Sequence, residues 1–597
     1  MSSRLSGRYL TVNVRYEPDL KEGPQGELLQ VVDYDPVRKK WYAQVNLNDT
    51  YILAQDGLRP READPRSHQQ IAYAVASSVI ERFQRYLGRR FRWRGEDKLR
   101  LVPHAFQGRN AFFDPKRKAV LFGYYRAEDD DPGANLPGQI IFTCLSSDII
   151  AHEVTHAIVH RLRPYFAEAS NKDVFAWHEA FADLIALFQH FAYPEVVLDA
   201  VSSTSGSIQK GGALFDLASE FGQSTGRGEA LRRAINPAVP TELLRTPDQF
   251  KASTEAHERG ACFVGAVFDA YLDRYRSAIS DLLRIAASGP GGLTEPLHPD
   301  LVHRVTREAI ITADRYLGMV VRAFDYLPPV DVTFGDVIQA IVTSDYALYP
   351  EDELGLRRNL IESLRRRGIY PDRVISLTDT ALVWPAPGRE LSLKDGKPAV
   401  PLDELVLDAS SRLDPTLEPT SRDPSVPTAD EGLRKEDLSS DLYRSLTIWA
   451  REHAVAIGFE PSEKIALDSV DVAYRQADDL QPRPEIVVQF TQRRRDLEAT
   501  YQPDLPRKSR TPLRAGTTLI ARLDGIIQHI ISKPLPLKSP RGEEARYVHA
   551  FGKTRFEAMV KWFDEVDEGD PLSMWIDEPA VHRVNFASLH YETQVGV

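Results

Sequence analysis

The chain has 597 residues, enough for about three or four folding units with full hydrophobic cores, so a small stapled scaffold is excluded. Hydrophobic residues make up 42% and charged residues 27%, proportions of a globular protein and not of a disordered or fibrous one. A formal net charge of -12 makes nucleic acid a poor partner, and two cysteines, Cys144 and Cys262, are too few for a disulfide framework or a thiolate zinc site.

The first residues alternate polar and apolar and lack the continuous apolar stretch of a signal peptide. No segment approaches the ~20 apolar residues of a membrane-spanning helix, so a cytoplasmic protein without membrane association is expected. Residues 8–54 carry three β-like runs broken by Gly, Pro and Asp, which predicts a β-rich meander within an N-terminal segment, 1–65. Ile71 to Tyr86 has helical apolar spacing, KLRLVPHAF and KAVLFGYY read as strands, and residues 146–369 are mostly helical. Ser146, Ser147 and Asp148 form a capped helix start. These elements define a second unit, 66–375.

Eight prolines between Trp384 and Asp430 predict a linker over 376–435. Beyond it, Leu438, Leu442, Leu446 and Trp449 mark an amphipathic helix, EIVVQF and TTLIARLDGIIQHIISK read as strands, and Asp524-Gly525 is a hairpin turn. Residues 436–597 therefore read as a separate α+β domain. Its basic stretch at Arg493-Arg494-Arg495 is interleaved with Asp496, Glu498 and Asp504, the pattern of a solvated loop.

The sharpest local signal is His152-Glu153-Val154-Thr155-His156. Two histidines four apart share one helix face and can chelate one metal ion. Taken alone, the pentapeptide also fits an amphipathic helix with a polar wet face. A catalytic zinc needs a third protein ligand and an open position. The metzincin route is closed, because Val159 and Leu162 stand where glycine and a third histidine would be, and His160 lies a full turn too far along. A second helix, WHEAFADLIALFQHF, offers Glu179, 23 residues beyond His156, with Asp183 one turn later, placed to orient a zinc-bound imidazole.

With these residues the chain resembles the thermolysin-like peptidases, a gluzincin family that pairs H-E-x-x-H with a downstream glutamate helix. Further segments carry the resemblance: Asn110-Ala111-Phe112-Phe113, Ala230-Leu231-Arg232 with Pro237, HERGACFVGAVFDAYL, and DYLPPVDVTFGDVIQAIVTSDYALYPED, together spanning about residues 70–375. The resemblance implies an α+β fold with two lobes, β-rich before the zinc helix and helical after it. It implies that Asn110 and Ala111 hold an extended peptide, that Leu231 and Arg232 contact substrate, and that His257 stabilises the oxyanion with Tyr165 as the nearest tyrosine donor. The family's carboxylate partner of that histidine would fall at Ala252, leaving Glu255 as substitute, and His178 replaces the asparagine that usually precedes the ligand glutamate. Asp148 and Glu220 match two structural calcium positions, but His190 stands where a bridging glutamate is expected, so structural calcium is not expected.

The expectation is a zinc-dependent endopeptidase with one Zn2+ per chain on His152, His156 and Glu179, hydrolysing peptide or protein substrates through a metal-activated water with Glu153 as general base. The alternative is a catalytically weak or inactive peptidase fold serving as a binding scaffold. With no secreted-type prosegment in view, the C-terminal domain or a regulatory partner bound through it is expected to restrain the site, so truncation after Asp430 should raise turnover.

Overall fold

The computed structural model describes residues 11–93, 97–130, 136–206, 247–288, 297–372, 374–403, 405, 440–477, 481–567 and 586. Helices and sheets are both present, in keeping with an α+β chain. The first sheet runs in the order Leu29–Val31, Leu99–Gln107, Ala119–Arg126, Ala111–Asp114, with Ile140–Phe142 also paired to Ala119–Arg126. Leu29 pairs with Leu99 in parallel and Ala111 with Phe122 antiparallel, which leaves Ala111–Asp114 at the sheet edge.

Against this sheet lies the helix Pro65–Leu87, started by Asp64 as N-cap with Pro65 in the first turn and ended by Gly88 in the left-handed region at φ 67°. Its Ile71, Val75, Val79 and Phe83 share one core with Leu99, Leu101, Val120 and Phe122 of the strands. Among the described residues the expected N-terminal meander is not formed. Residues 11–16 carry no strand, and the rest gives only Leu29–Val31 and a two-residue pairing of Tyr34–Asp35 with Lys40–Trp41. Pro18, Gly23, Pro24 and Gly26 interrupt the chain before a ladder can propagate. Side-chain bonds also hold this segment: Asp33 accepts from Gln69 at 2.7 Å and meets His104 Nδ1 at 2.6 Å.

The helices Ser147–Leu162, Lys172–Gln189, Ala256–Ala287, Pro299–Arg322 and Phe334–Leu348 complete the first core. No single helix among the described residues is long and apolar enough to cross a membrane.

The C-terminal region forms a four-stranded antiparallel sheet in the order Ile527–Lys533, Arg514–Ala521, Pro482–Arg493, Ala466–Gln476. It has a core of its own and packs through its other face on the first core. Side chains alternate across a strand, so Val488 and Leu519 face a second core with Leu446 and Trp449, whereas Val487, Ile520 and Ile531 join the first core. A sheet buried on both faces reads as continuous apolar runs, and sequence alone does not say what covers the second face. The predicted linker is also structured in part: Leu391, Leu393, Val400 and Leu402 enter the second core, and Trp384 donates from its indole to the Tyr326 carbonyl at 3.1 Å.

Polar bonds close this contact. Asp325 accepts from Arg89 at 2.6 Å and from Arg475 at 2.6 Å, fully buried. Tyr326 donates to Glu485 at 2.6 Å, and Arg475 also pairs with Glu485. Burial alone would push the Asp325 carboxyl up, but Arg89 and then Arg475 outweigh it and hold it well below the usual carboxylate range. Within the basic stretch Arg493 meets Glu498 at 2.6 Å and buried Arg494 meets Asp496 at 2.7 Å, while Arg495 is exposed.

Asp325→Ala leaves two buried guanidinium groups without their shared carboxylate and is expected to cost about 3–5 kcal/mol at pH 7, read from urea midpoints. A carboxylate with a depressed folded pKa stabilises fully above its unfolded pKa, so the wild-type advantage should shrink as pH falls below about 4. A chain ending at Asp430 loses Val487, Ile520, Ile531 and Arg475 from this contact. Such a truncation should lower solubility and cooperativity in thermal melts, in place of the gain in turnover expected from sequence.

Candidate metal centre

The helix Ser147–Leu162 starts at Ser146, whose hydroxyl accepts from the Ile149 N–H at 3.4 Å, with Asp148 in the first turn. It is covered on nearly every side, since Ile150, Val154, Ala157 and Ile158 are buried along with His152, Glu153 and His156. The four-residue spacing brings His152 Nε2 and His156 Nε2 to 2.9 Å. From the neighbouring helix Lys172–Gln189, Glu179 brings Oε2 to 3.4 Å from His152 Nε2 and Oε1 to 3.5 Å from His156 Nε2.

That helix is held at its start by Asn171, which accepts from the Asp173 N–H at 2.7 Å and donates to Asp331 at 2.7 Å. Asp331 in turn accepts from Arg555 of the C-terminal region at 2.5 Å. The cap that sets Glu179 in place is therefore tied to the C-terminal fold.

Zinc binds imidazole nitrogen and carboxylate oxygen at about 2.0–2.2 Å, so donors around a tetrahedral ion lie roughly 3.3 Å apart. The two separations to Glu179 fit that edge, and the 2.9 Å between the imidazole nitrogens is shorter. Glu179 is 0% exposed, and a carboxylate facing two imidazoles in a dry interior is costly unless a cation or protons balance it. Among the described residues this cluster is the one His, Cys, Asp and Glu group that fits an ion.

A second layer fixes the ring orientations. His152 Nδ1 lies 3.0 Å from Asp183 Oδ1, the pairing expected from the sequence. His156 Nδ1 lies 2.7 Å from His178 Nδ1. With a cation between His156 Nε2 and Glu179, His156 Nδ1 would carry the proton and donate to His178, whose own proton would then sit on Nε2. Burial pushes the His178 pKa down to about 3, which fits a neutral acceptor there. Sequence marked His178 as a departure; its place is that of an orienting partner.

Glu153 Oε2 accepts from the Phe113 N–H at 3.2 Å, which ties this carboxylate to the edge strand. On the same strand the Asn110 side chain accepts from the Ala111 N–H at 2.9 Å. His257 sits in the first turn of Ala256–Ala287 with Nδ1 3.4 Å from Glu179 Oε2. Glu255 caps that helix by accepting from the His257 and Glu258 N–H groups, so it orients the backbone and not, by these bonds, the ring. Close approach of the two helices requires Gly260, where a Cβ would lie 2.8 Å from the Ala176 carbonyl oxygen. Arg259, one residue earlier, meets Asp173 at 2.5 Å and locks the pair.

Other predicted residues lie elsewhere. Tyr165 is directed to the C-terminal contact: its hydroxyl donates to Asp468 at 3.4 Å and its ring faces the Arg514 guanidinium at 4.4 Å. Neither of these contacts is with the His152–His156–Glu179 cluster. Leu231 and Arg232, with Ala230, Pro237 and Glu220, lie outside the described residues. Asp148 is paired with His190 Nε2 at 2.9 Å. Sequence reading missed Phe113 as the support of Glu153 and Gly260 as the contact that admits His257. A lone glycine in an apolar helical run is the only local sign of the latter.

Asp183→Ala and His178→Ala should each weaken zinc binding by about 10- to 100-fold, as loss of an orienting partner does, measured by competition with a chromophoric chelator. Comparison of the chain with protein-family models and with curated proteins finds no match in either.

Proposed function

We propose that the protein is a zinc-dependent endopeptidase of the thermolysin-like kind, with the sheet-containing half before Ser147–Leu162 and the helical half after it forming the two lobes of the resemblance. The observation that carries the reading is the convergence of His152, His156 and Glu179, fully buried, at separations suited to one ion. Zinc held there would lower the pKa of a coordinated water and polarise a substrate carbonyl.

The chain's own groups supply the rest. Glu153 would take the proton of the attacking water and pass it to the leaving amine. Its bond to Phe113 places the base on the strand that would hold substrate, since Ala111–Asp114 is an edge to which an extended peptide can add. Base and scissile bond would thereby share one support. His257, part-exposed beside Glu179, would donate to the developing oxyanion. Asp183 and His178 keep the ligand nitrogens turned inward. A cytoplasmic location and a protein or peptide substrate complete the proposal.

A catalytically weak scaffold is the second reading, favoured by the engagement of Tyr165 with Asp468. Hydrolysis of a quenched peptide library, with and without a zinc chelator, separates the two. Purified chain should carry about one zinc. Glu153→Gln should retain zinc yet lose at least about 10²- to 10⁴-fold in rate. His257→Ala should retain zinc and lose about 10²- to 10³-fold. Glu179→Ala should lose zinc and activity together. Wild-type turnover by Glu153→Gln would eliminate the mechanism.

A further inference from the structure

Away from the metal centre, three buried ionisable side chains form one hydrogen-bonded relay. Asp33 Oδ1 lies 2.6 Å from His104 Nδ1, His104 Nε2 lies 2.9 Å from His68 Nδ1, and His68 Nε2 lies 2.9 Å from the Glu62 carbonyl oxygen. Asp33, His104 and His68 are 5%, 1% and 1% exposed. They come from the N-terminal segment, the strand Leu99–Gln107 and the helix Pro65–Leu87, and the relay ends on the loop before that helix.

Counting protons along the relay sets its charge. A carbonyl oxygen only accepts, so His68 Nε2 carries a proton. Each of the other two contacts needs one as well, because lone pairs facing each other at 2.6 or 2.9 Å repel. The relay therefore holds three protons, one more than an ionised Asp and two neutral imidazoles supply. The extra proton belongs on His104. Asp33 Oδ2 also accepts from the Gln69 amide at 2.7 Å, which favours the ionised carboxylate, and burial and then the charge on His104 push the His68 pKa down to about 4, which keeps that ring neutral.

The groups around the relay hold their charge near neutral pH. Tyr42 and Tyr124 face the His104 ring at 4.7 and 6.2 Å between centroids, and both phenols bond to Asp35. Burial raises both phenols, Tyr124 to about 12, and it raises the Cys144 thiol, on which Asp33 also acts. Asp64, which acts on His68, is held below the usual carboxylate range by Arg66. The Glu62 carboxylate is turned to Gln139 at 2.7 Å.

We propose that Asp33, His104 and His68 are a proton-locked clasp, in which one buried proton fastens the N-terminal segment to the helix Pro65–Leu87, and that rising pH opens it. Loss of that proton to solvent leaves two protons for three contacts, so one pair of acceptors must part. In the open clasp both imidazoles titrate near their ordinary value of about 6.5, so closing takes up one proton above that pH and releases one below it. The clasp is therefore tightest near about pH 6.5. The contribution of His104, whose pKa the closed clasp raises, is complete below that value and is lost as pH rises through the raised pKa. None of this rests on the peptidase reading.

Hydrogen exchange of the full chain reads the clasp at the Val32, Tyr42 and Val45 amides, which bond to the Leu101 carbonyl, the Asp33 carbonyl and the Gln69 side chain. Corrected for the intrinsic pH dependence of exchange, their opening constant should rise about tenfold per pH unit above about pH 7, until the closed clasp itself loses the proton. In Asp33→Asn, which removes the charge that holds the imidazolium, the opening constant should be higher and flat over the same range. A flat wild-type profile, or the same slope in both chains, would overturn the proposal. Should Asp33→Asn not fold, ring-nitrogen NMR of wild type labelled with 15N-histidine decides. At about pH 8, where an ordinary imidazole is mostly neutral, His104, identified by its contact with the Phe142 ring, should carry protons on both nitrogens. A neutral His104 at that pH overturns the clasp.

Discussion

A carboxylate and two imidazoles held together out of water form the constraint on which the rest of this structure depends. Such a set is unstable unless its protons and partners are assigned without conflict. Asp183 lies 3.0 Å from His152 and His178 lies 2.7 Å from His156, so each imidazole of the cluster has a neighbour on its far nitrogen. Neutral His178 follows from the requirement and not from chance, because a protonated ring could not accept from His156. Burial lowers its pKa and so favours that neutral form.

The same constraint reaches outward through helix packing. Glu179 meets the histidines only if Lys172–Gln189 starts where it does, and Asn171 sets that start while bonding Asp331. Asp331 is bonded by Arg555, so the C-terminal fold bears on the position of Glu179, roughly 380 residues earlier in the chain. Gly260 lets Ala256–Ala287 approach until His257 stands beside Glu179, and a methyl group there would press on the Ala176 carbonyl. The C-terminal sheet thus acts as a buttress of the helical half, sealed by Asp325 between Arg89 and Arg475.

Much of the centre was legible in the residues because its signals are local. The four-residue histidine spacing, the Glu179-to-Asp183 turn and the polar start at Ser146 each lie within one helix, where periodicity fixes geometry. Long strands such as Leu99–Gln107 and Ala119–Arg126 and the Asp524-Gly525 hairpin were legible for the same reason. What escaped depends on contacts between distant segments. The two-sided burial of Val487 and Val488 looks, in sequence, like one apolar run. Tyr165 lies near the ligand helices in sequence, yet Arg514 and Asp468 draw it to the opposite contact. Phe586 carries no local sign at all of its place beside His156.

The central claim is that these three side chains hold one zinc ion, and anomalous diffraction collected on either side of the zinc absorption edge tests it most directly. The account predicts a single strong peak at the convergence of His152 Nε2, His156 Nε2 and the Glu179 carboxylate, within about 2.0–2.2 Å of each, present above the edge and lost below it. Crystals grown with zinc that show no peak there, or His152 and His156 joined instead through a shared proton at an unchanged 2.9 Å, would contradict it.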